Sequence, residues 1–203
     1  MSNFKYGIIS AMREETQKIK DALNLQVLKP GIYYKDDICL IESGIGKTAS
    51  AFATTRLIYN CEPEKIINIG LCGAVDNNLE IGETLFVSDV YQADAYKPFP
   101  GYEDFVAHIK PKHPIKVKTA RLATVDHFVD RIDDTLGFTL DADIVDMEGY
   151  SVAYVCRQFG IDCYLIKSVS DYCDHDSKTD LYTNLETAMN NSIAVLKEVV
   201  QWD

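Results

Sequence analysis

The 203-residue chain carries 20 Lys and Arg against 31 Asp and Glu, a formal net charge of −11, and 47% of its residues are hydrophobic. That composition predicts one folded domain over 1–203 that buries its core without a disulfide or metal staple. The acidic balance excludes partners recognised through clustered Lys and Arg, such as nucleic acid or an anionic membrane surface, and leaves a small ligand without phosphates unopposed.

The N-terminus enters a strand pattern almost at once, with no signal-like region. No apolar stretch nears the roughly 20 residues needed to cross a bilayer, so a cytoplasmic protein is expected. The first apolar run, Lys5–Ser10, reads as a buried strand, and a helical pattern follows from Arg13 to Leu25 with Ile19, Ala22 and Leu23 on one face. Tyr33–Lys35 and Ile38–Glu42 read as a hairpin around Asp36-Asp37. The turn Ser43-Gly44-Ile45-Gly46-Lys47 opens a helix through about Tyr59. Lys65–Gly70 is a buried strand ending in Gly70-Leu71-Cys72-Gly73. Thr84–Gln92 and Val117–Val125 are strand candidates, and the segment between them, with Pro98, Pro100, Pro111 and Pro114, reads as a loop or lid. Asp143–Met147 is a strand leading into a helix from Gly149 to about Phe159; Asp162–Val169 is the last strand and Leu181–Val200 the closing helix. The six cysteines form no CxxC pair and sit in apolar runs as small buried hydrophobes.

Strands alternating with helices predict an α/β fold with a mixed or parallel sheet. Ligands of such sheets sit at the carboxyl ends of the strands. Those ends here carry Ala11-Met12-Arg13-Glu14-Glu15, the Gly-Ile-Gly turn, Gly-Leu-Cys-Gly, Asp146-Met147-Glu148 and Ser170-Asp171. Three of the five hold acids, and two hold glycines that let a ligand approach backbone. Cleaving an N-glycosidic bond needs an acid to protonate the leaving base, a carboxylate to activate water and a grip on the sugar. Asp171, Glu15 and Glu148 are candidates for these roles in that order. Each also has a plain structural reading: Asp171 as a turn former, Glu15 as a complement to its helix dipole, Glu148 as a helix cap, and Phe128 and Met147 as core.

Five segments in order carry a resemblance: Gly7-Ile-Ile-Ser-Ala-Met-Arg-Glu-Glu15, Ser43-Gly-Ile-Gly-Lys47, Ile66-Ile-Asn-Ile-Gly-Leu-Cys-Gly-Ala74, Val145-Asp-Met-Glu148 and Ser168-Val-Ser-Asp-Tyr-Cys-Asp174. They span nearly the whole chain and resemble the purine nucleoside phosphorylase/nucleosidase superfamily, most closely the 5′-methylthioadenosine/S-adenosylhomocysteine nucleosidases. The resemblance implies a three-layer α/β/α sandwich whose mixed central sheet is partly barrel-like. It implies that Asp171 protonates N7 of adenine, that Glu15 activates water, and that Glu148 binds the ribose hydroxyls with Met147 and Met12 beside the sugar. Phe128 then stacks on the base, Val129 reads the adenine edge through its backbone, and Ile45 and Leu181 line the pocket for the 5′ substituent. Ser170, Gly73 and Lys167 fall beside these positions as further binding or supporting residues. The resemblance also implies a homodimer in which a neighbour helps to close the 5′ pocket.

Within this superfamily the attacking group is water or phosphate. Phosphorylase relatives typically carry an Arg before the Val-Gly or Ile-Gly that ends the central strand; that position here is Asn68. Glu14 and Glu15 in the first loop oppose a phosphate dianion, with Arg13 the only nearby cation, so hydrolysis is expected. Two positions depart from the nucleosidase pattern: Leu71 replaces a hydroxyl residue near the sugar and Lys167 replaces an Arg near the aspartate. The loop around Asp94–Gly101 is also unlike the usual form. No HxH or HxxxH spacing joins His108, His113, His127 and His175, and no Walker or GxGxxG fingerprint appears, so neither metal nor cofactor is expected. The alternatives are a nucleosidase for another purine nucleoside such as a futalosine, a phosphorylase, or a nucleoside-binding or storage protein of the same fold.

Overall fold

The computed structural model describes residues 4–95, 108–131 and 142–202. In chain order these form β1 (Tyr6–Ser10), α1 (Arg13–Leu23), β2 (Gln26–Lys29), β3 (Ile32–Lys35), β4 (Ile38–Glu42), α2 (Lys47–Cys61), β5 (Lys65–Ala74), β6 (Thr84–Gln92), β7 (Thr119–Thr124), β8 (Ile144–Asp146), α3 (Gly149–Phe159), β9 (Asp162–Asp171) and α4 (Ser177–Trp202). The strands join in one sheet of order β2-β3-β4-β1-β5-β8-β7-β6-β9, and a further pairing of β9 with β5 closes the last five into a barrel. β1 runs parallel to both β4 and β5, and β5 parallel to β9, whereas β6 is antiparallel to β9 and β8 to β5. The expected mixed, partly barrel-like sheet is present.

Helices cover both faces. Ala53 and Leu57 of α2 and Val152 and Cys156 of α3 pack with Ile9, Ile41 and Ile66 into one core. Ile19 of α1 and Ala188, Met189 and Leu196 of α4 pack with Ile8, Leu40 and Ile67 into the other. The alternation along β1 explains the division: Ile8 and Ile9 are both fully buried but face opposite layers, as successive strand residues must. Each such side chain contributes roughly 1.5–3 kcal/mol by leaving water.

Several element limits differ from the sequence reading. β2 escapes it because Gln26, Val27 and Lys29 are exposed on an edge strand, so no alternation marks it. α1 stops at Leu23, where Asn24 turns into the left-handed region at φ 54°. β5 runs on to Ala74, and β9 to Asp171, because the two pair continuously to the level of Gly73 and Asp171. The Gly-Leu-Cys-Gly stretch is therefore strand and not a loop after one. α4 begins four residues before Leu181, at Ser177. Of the proline-rich segment, residues 96–107 lie outside the described residues, as does most of the Asp94–Gly101 loop; Ile109 bridges to Val90.

Candidate active site

The ends of β1, β5, β7, β8 and β9 surround one pocket that opens to solvent. Its lining includes Met12, Glu15, Ile45, Gly73, Phe128, Val129, Met147, Glu148, Ser170, Asp171 and Leu181, so these sequence candidates share one cavity. Asp146, His127, Cys72, Cys173, Val145, Ala11 and Leu71 complete it. Asp146 within the Val145–Glu148 motif and His127, to which the sequence assigns no role, are both pocket residues. Lys167 is absent from the lining.

Glu15 is only 2% exposed. Its Oε2 accepts from Met12 N–H at 2.9 Å, Ala11 N–H at 3.2 Å and Ser10 Oγ at 3.2 Å, while Oε1 accepts from Leu71 N–H at 2.9 Å. The carboxylate reaches back to cap its own helix, the plain reading of a first-turn acid, and still spans to β5. A carboxylate offers about four lone-pair sites. Three donors occupy Oε2 and one occupies Oε1, so Oε1 keeps the spare acceptor capacity. Gly70 leaves that oxygen room, since a Cβ there would lie 3.0 Å from it. The contact from position 71 uses backbone, so the change of side chain to Leu71 does not remove it.

Asp171 owes its placement to a β-bulge. Cys72 pairs with Val169 but Gly73 pairs with Asp171, so Ser170 is the extra residue. In a regular strand Ser170 and Asp171 would point to opposite faces; the bulge turns both toward the pocket. Asp171 Oδ2 lies 2.7 Å from Ser170 Oγ, and Oδ1 accepts from Cys173 N–H at 3.1 Å. Burial pushes its pKa up against these hydrogen bonds. Ser170 Oγ also lies 3.2 Å from the Cys72 carbonyl oxygen. One hydroxyl proton serves one of two acceptors at a time. Gly73 permits this packing: a Cβ there would fall 2.4 Å from Cys173 Sγ and 2.9 Å from Asp171 Oδ1.

Glu148 sits across the pocket, 7% exposed, with Oε1 accepting from Gly46 N–H at 2.8 Å. Burial, with Asp146 and Glu15 nearby, raises its pKa to about 7 against the opposing pull of Lys167 and the Gly46 hydrogen bond. Beneath it Lys167 Nζ pairs with Asp146 Oδ2 at 2.7 Å, both side chains 1% exposed. Asp146 also accepts from Thr124 Oγ1 at 2.7 Å and Gly149 N–H at 2.8 Å. Burial acts to lower the Lys167 pKa, but Asp146, Glu148 and Glu15 outweigh it and hold the ammonium above its ordinary value. Lys167 thus supports the acid cluster through Asp146. Arg13 and Glu14 are exposed and absent from the lining. Among the described residues the pocket wall holds four carboxyl groups and neither Arg nor Lys.

The family model of the phosphorylase superfamily matches residues 5–201. The chain belongs to that superfamily. Within it, the chain is 27% identical to an aminodeoxyfutalosine nucleosidase of Helicobacter pylori, the alignment covering 97% of each. It is also 27% identical to a 5′-methylthioadenosine/S-adenosylhomocysteine nucleosidase of Staphylococcus aureus, covering 96% of this chain and 98% of the relative. Among solved structures, the Helicobacter pylori 5′-methylthioadenosine/S-adenosylhomocysteine nucleosidase with butyl-thio-DADMe-Immucillin-A superposes with a TM-score of 0.86 at 25% identity, over 100% of both chains. The superfamily frame therefore accounts for the fold.

Proposed function

We propose that this chain is a purine nucleosidase that hydrolyses the N-glycosidic bond of an adenosine-type nucleoside and releases adenine. The observation that carries this reading is the pocket wall of Glu15, Asp146, Glu148 and Asp171 without a lining Arg or Lys. A phosphate dianion entering there meets carboxylates, at a cost of roughly 1–4 kcal/mol for each charge a few ångströms away. Water meets an acceptor.

In the proposed reaction the base stacks on Phe128, with Val129 at its edge, and the ribose hydroxyls lie on ionised Glu148 between Met12 and Met147. Protonated Asp171 gives its proton to N7 of the leaving purine, which needs an acid held neutral near neutral pH. Positive character grows on the sugar as the bond lengthens, and the nearby carboxylates stabilise it. Glu15 holds a water on its less occupied Oε1 and takes its proton as the oxygen bonds to the anomeric carbon. Ser170 orients the Asp171 carboxyl, Gly73 gives both residues space, and Lys167 pairs with Asp146 beneath them.

The rim is formed by Ile45, Phe128 and Leu181, an apolar edge that favours a small thioether at the 5′ position, as in 5′-methylthioadenosine. A second reading, an aminodeoxyfutalosine-type substrate, is favoured by one observation: exposed His127 lies on the lining and offers a polar contact to an acidic substituent. Adenine release from 5′-methylthioadenosine, S-adenosylhomocysteine and aminodeoxyfutalosine, compared at equal concentration, separates the two. The highest kcat/KM is expected for the methylthio compound; a preference for aminodeoxyfutalosine that His127→Ala abolishes would establish the second.

The working unit in this proposal is a homodimer of single-domain chains in the cytoplasm. Phe52 and Tyr59 of α2 are 70% and 72% exposed, and Tyr59 meets Phe159 of α3 edge-on, which supports an apolar face that a second copy covers. The six buried cysteine thiols fit a reducing compartment. A solution mass of one chain at micromolar concentration would contradict the dimer.

A further inference from the structure

Beside the segment His127–Val129 lies a polar cluster that the reaction above does not use: Lys47, Asp94 and Asp126. Helix α2 starts at Gly46, which has no side chain to cap it. Its first free N–H groups are met by carboxylates from distant segments: Glu148 takes Gly46 N–H at 2.8 Å, and Asp126 Oδ1 takes Lys47 N–H at 2.8 Å. The positive end of the helix dipole favours both. The Lys47 side chain then turns back onto the same groups, its Nζ 3.6 Å from Asp126 Oδ2 and in direct contact with Asp94. The other oxygen of Asp94 accepts the Asp126 N–H at 2.8 Å. Asp126 is thereby held at its N–H and both carboxylate oxygens.

The three residues that follow Asp126 are His127, Phe128 and Val129, all in the pocket lining. Phe128 is 37% exposed, so packing alone holds its ring weakly. We propose that Lys47 is a positioning residue that locks the base-stacking segment His127–Val129 to the turn holding Glu148, so that the base and ribose halves of the nucleoside are gripped as one unit. This rests on the nucleosidase reading and extends it to residues that never touch the substrate. Lys47 is only 12% exposed in its side chain, so solvent screens its two contacts less than those of an open surface pair. A purely structural role, capping α2, would show in thermal stability and leave ligand affinity unmoved.

The test measures adenine affinity by calorimetry, and kcat and KM for 5′-methylthioadenosine, in Lys47→Met, Lys47→Arg, Asp94→Asn and Glu148→Ala. Lys47→Met and Asp94→Asn are expected to raise the adenine Kd and the KM about tenfold each, roughly the loss of one charge-assisted hydrogen bond, with kcat falling less than threefold. The Lys47→Met/Asp94→Asn double variant is expected to be no worse than either alone, and Lys47→Arg to recover to within about twofold of the unsubstituted chain. Glu148→Ala is expected to raise KM while leaving adenine affinity within about twofold, since it acts on the ribose. Adenine affinity and KM within twofold of the parent in both single variants overturn the proposal. If Lys47→Met fails to fold, Asp94→Asn decides alone, because it removes a side-chain link and keeps every helix contact. A parent chain that binds adenine but hydrolyses nothing overturns the reaction, and adenine affinity still decides the clamp; a parent that does not bind adenine sinks both.

Discussion

Two carboxyl groups in the pocket are displaced in the same direction for related reasons, and their opposite requirements set the pH behaviour. Glu148 is raised to about 7 chiefly by burial and must be ionised to accept from ribose. Substrate capture is then weak below that value and grows as pH rises through it. kcat/KM reports groups of the free enzyme, so it is expected to climb about tenfold per pH unit well below 7 as Glu148 ionises and to fall again at higher pH as Asp171 loses its proton. Glu148→Gln should flatten the rising limb; an unchanged limb in the variant would assign it elsewhere. The same shift has a stability sign. Between the ordinary carboxylate value and about 7 the folded state holds a proton that the unfolded chain has lost, so this group's contribution to stability falls as pH rises through that window. Lys167 belongs to the same scale. Lys167→Met leaves Asp146 buried and unpaired, a change that typically costs about 3–5 kcal/mol, and should lower the urea midpoint markedly. A midpoint matching the parent would show that the Lys167–Asp146 contact contributes nothing to stability.

At the scale of elements, the β9 bulge matters most. It turns Asp171 into the pocket beside Ser170, and β5 accommodates it only because position 73 lacks a side chain. Gly73→Ala places a carbon against Cys173 and Asp171, and overpacking of this kind costs about 1–3 kcal/mol. Turnover is expected to fall more than tenfold; equal kcat for Gly73→Ala and the parent would show that the glycine is incidental. This feature also marks where the sequence is legible and where it is not. The continuous apolar run Lys5–Ser10, buried on both faces, and the one apolar face of Gly149–Phe159 give those elements nearly to the residue. The bulge leaves no trace in periodicity, so Asp171 reads as lying beyond its strand when it ends it. β2 is silent for the opposite reason, an edge strand with three of its four residues exposed.

At the scale of the molecule, closure of β5, β8, β7, β6 and β9 into a barrel gathers residues 15, 73, 128, 148 and 171 around one cavity. Which residues meet there was readable from the order of the five motifs, since each follows or ends a strand. How they are held was not. The Lys167–Asp146 pair, the Leu71 N–H on Glu15 and the Lys47 contact with Asp126 join segments 21 to 79 residues apart, which no local pattern encodes. Asn68 illustrates the difference: sequence marks it as a missing arginine, and the structure shows it fully buried, donating to the Ile9 carbonyl at 3.3 Å and out of reach of any bound anion in the lining.

Adenine release from 5′-methylthioadenosine in phosphate-free buffer, measured for the parent chain beside a correctly folded Asp171→Asn variant, addresses the chemistry most directly. The parent should release adenine at a rate that added phosphate does not raise, and the variant should be slower by about 10²–10⁴-fold, the usual contribution of a general acid. Turnover that requires phosphate, or an Asp171→Asn variant that keeps near-parent activity, would contradict hydrolysis through this acid.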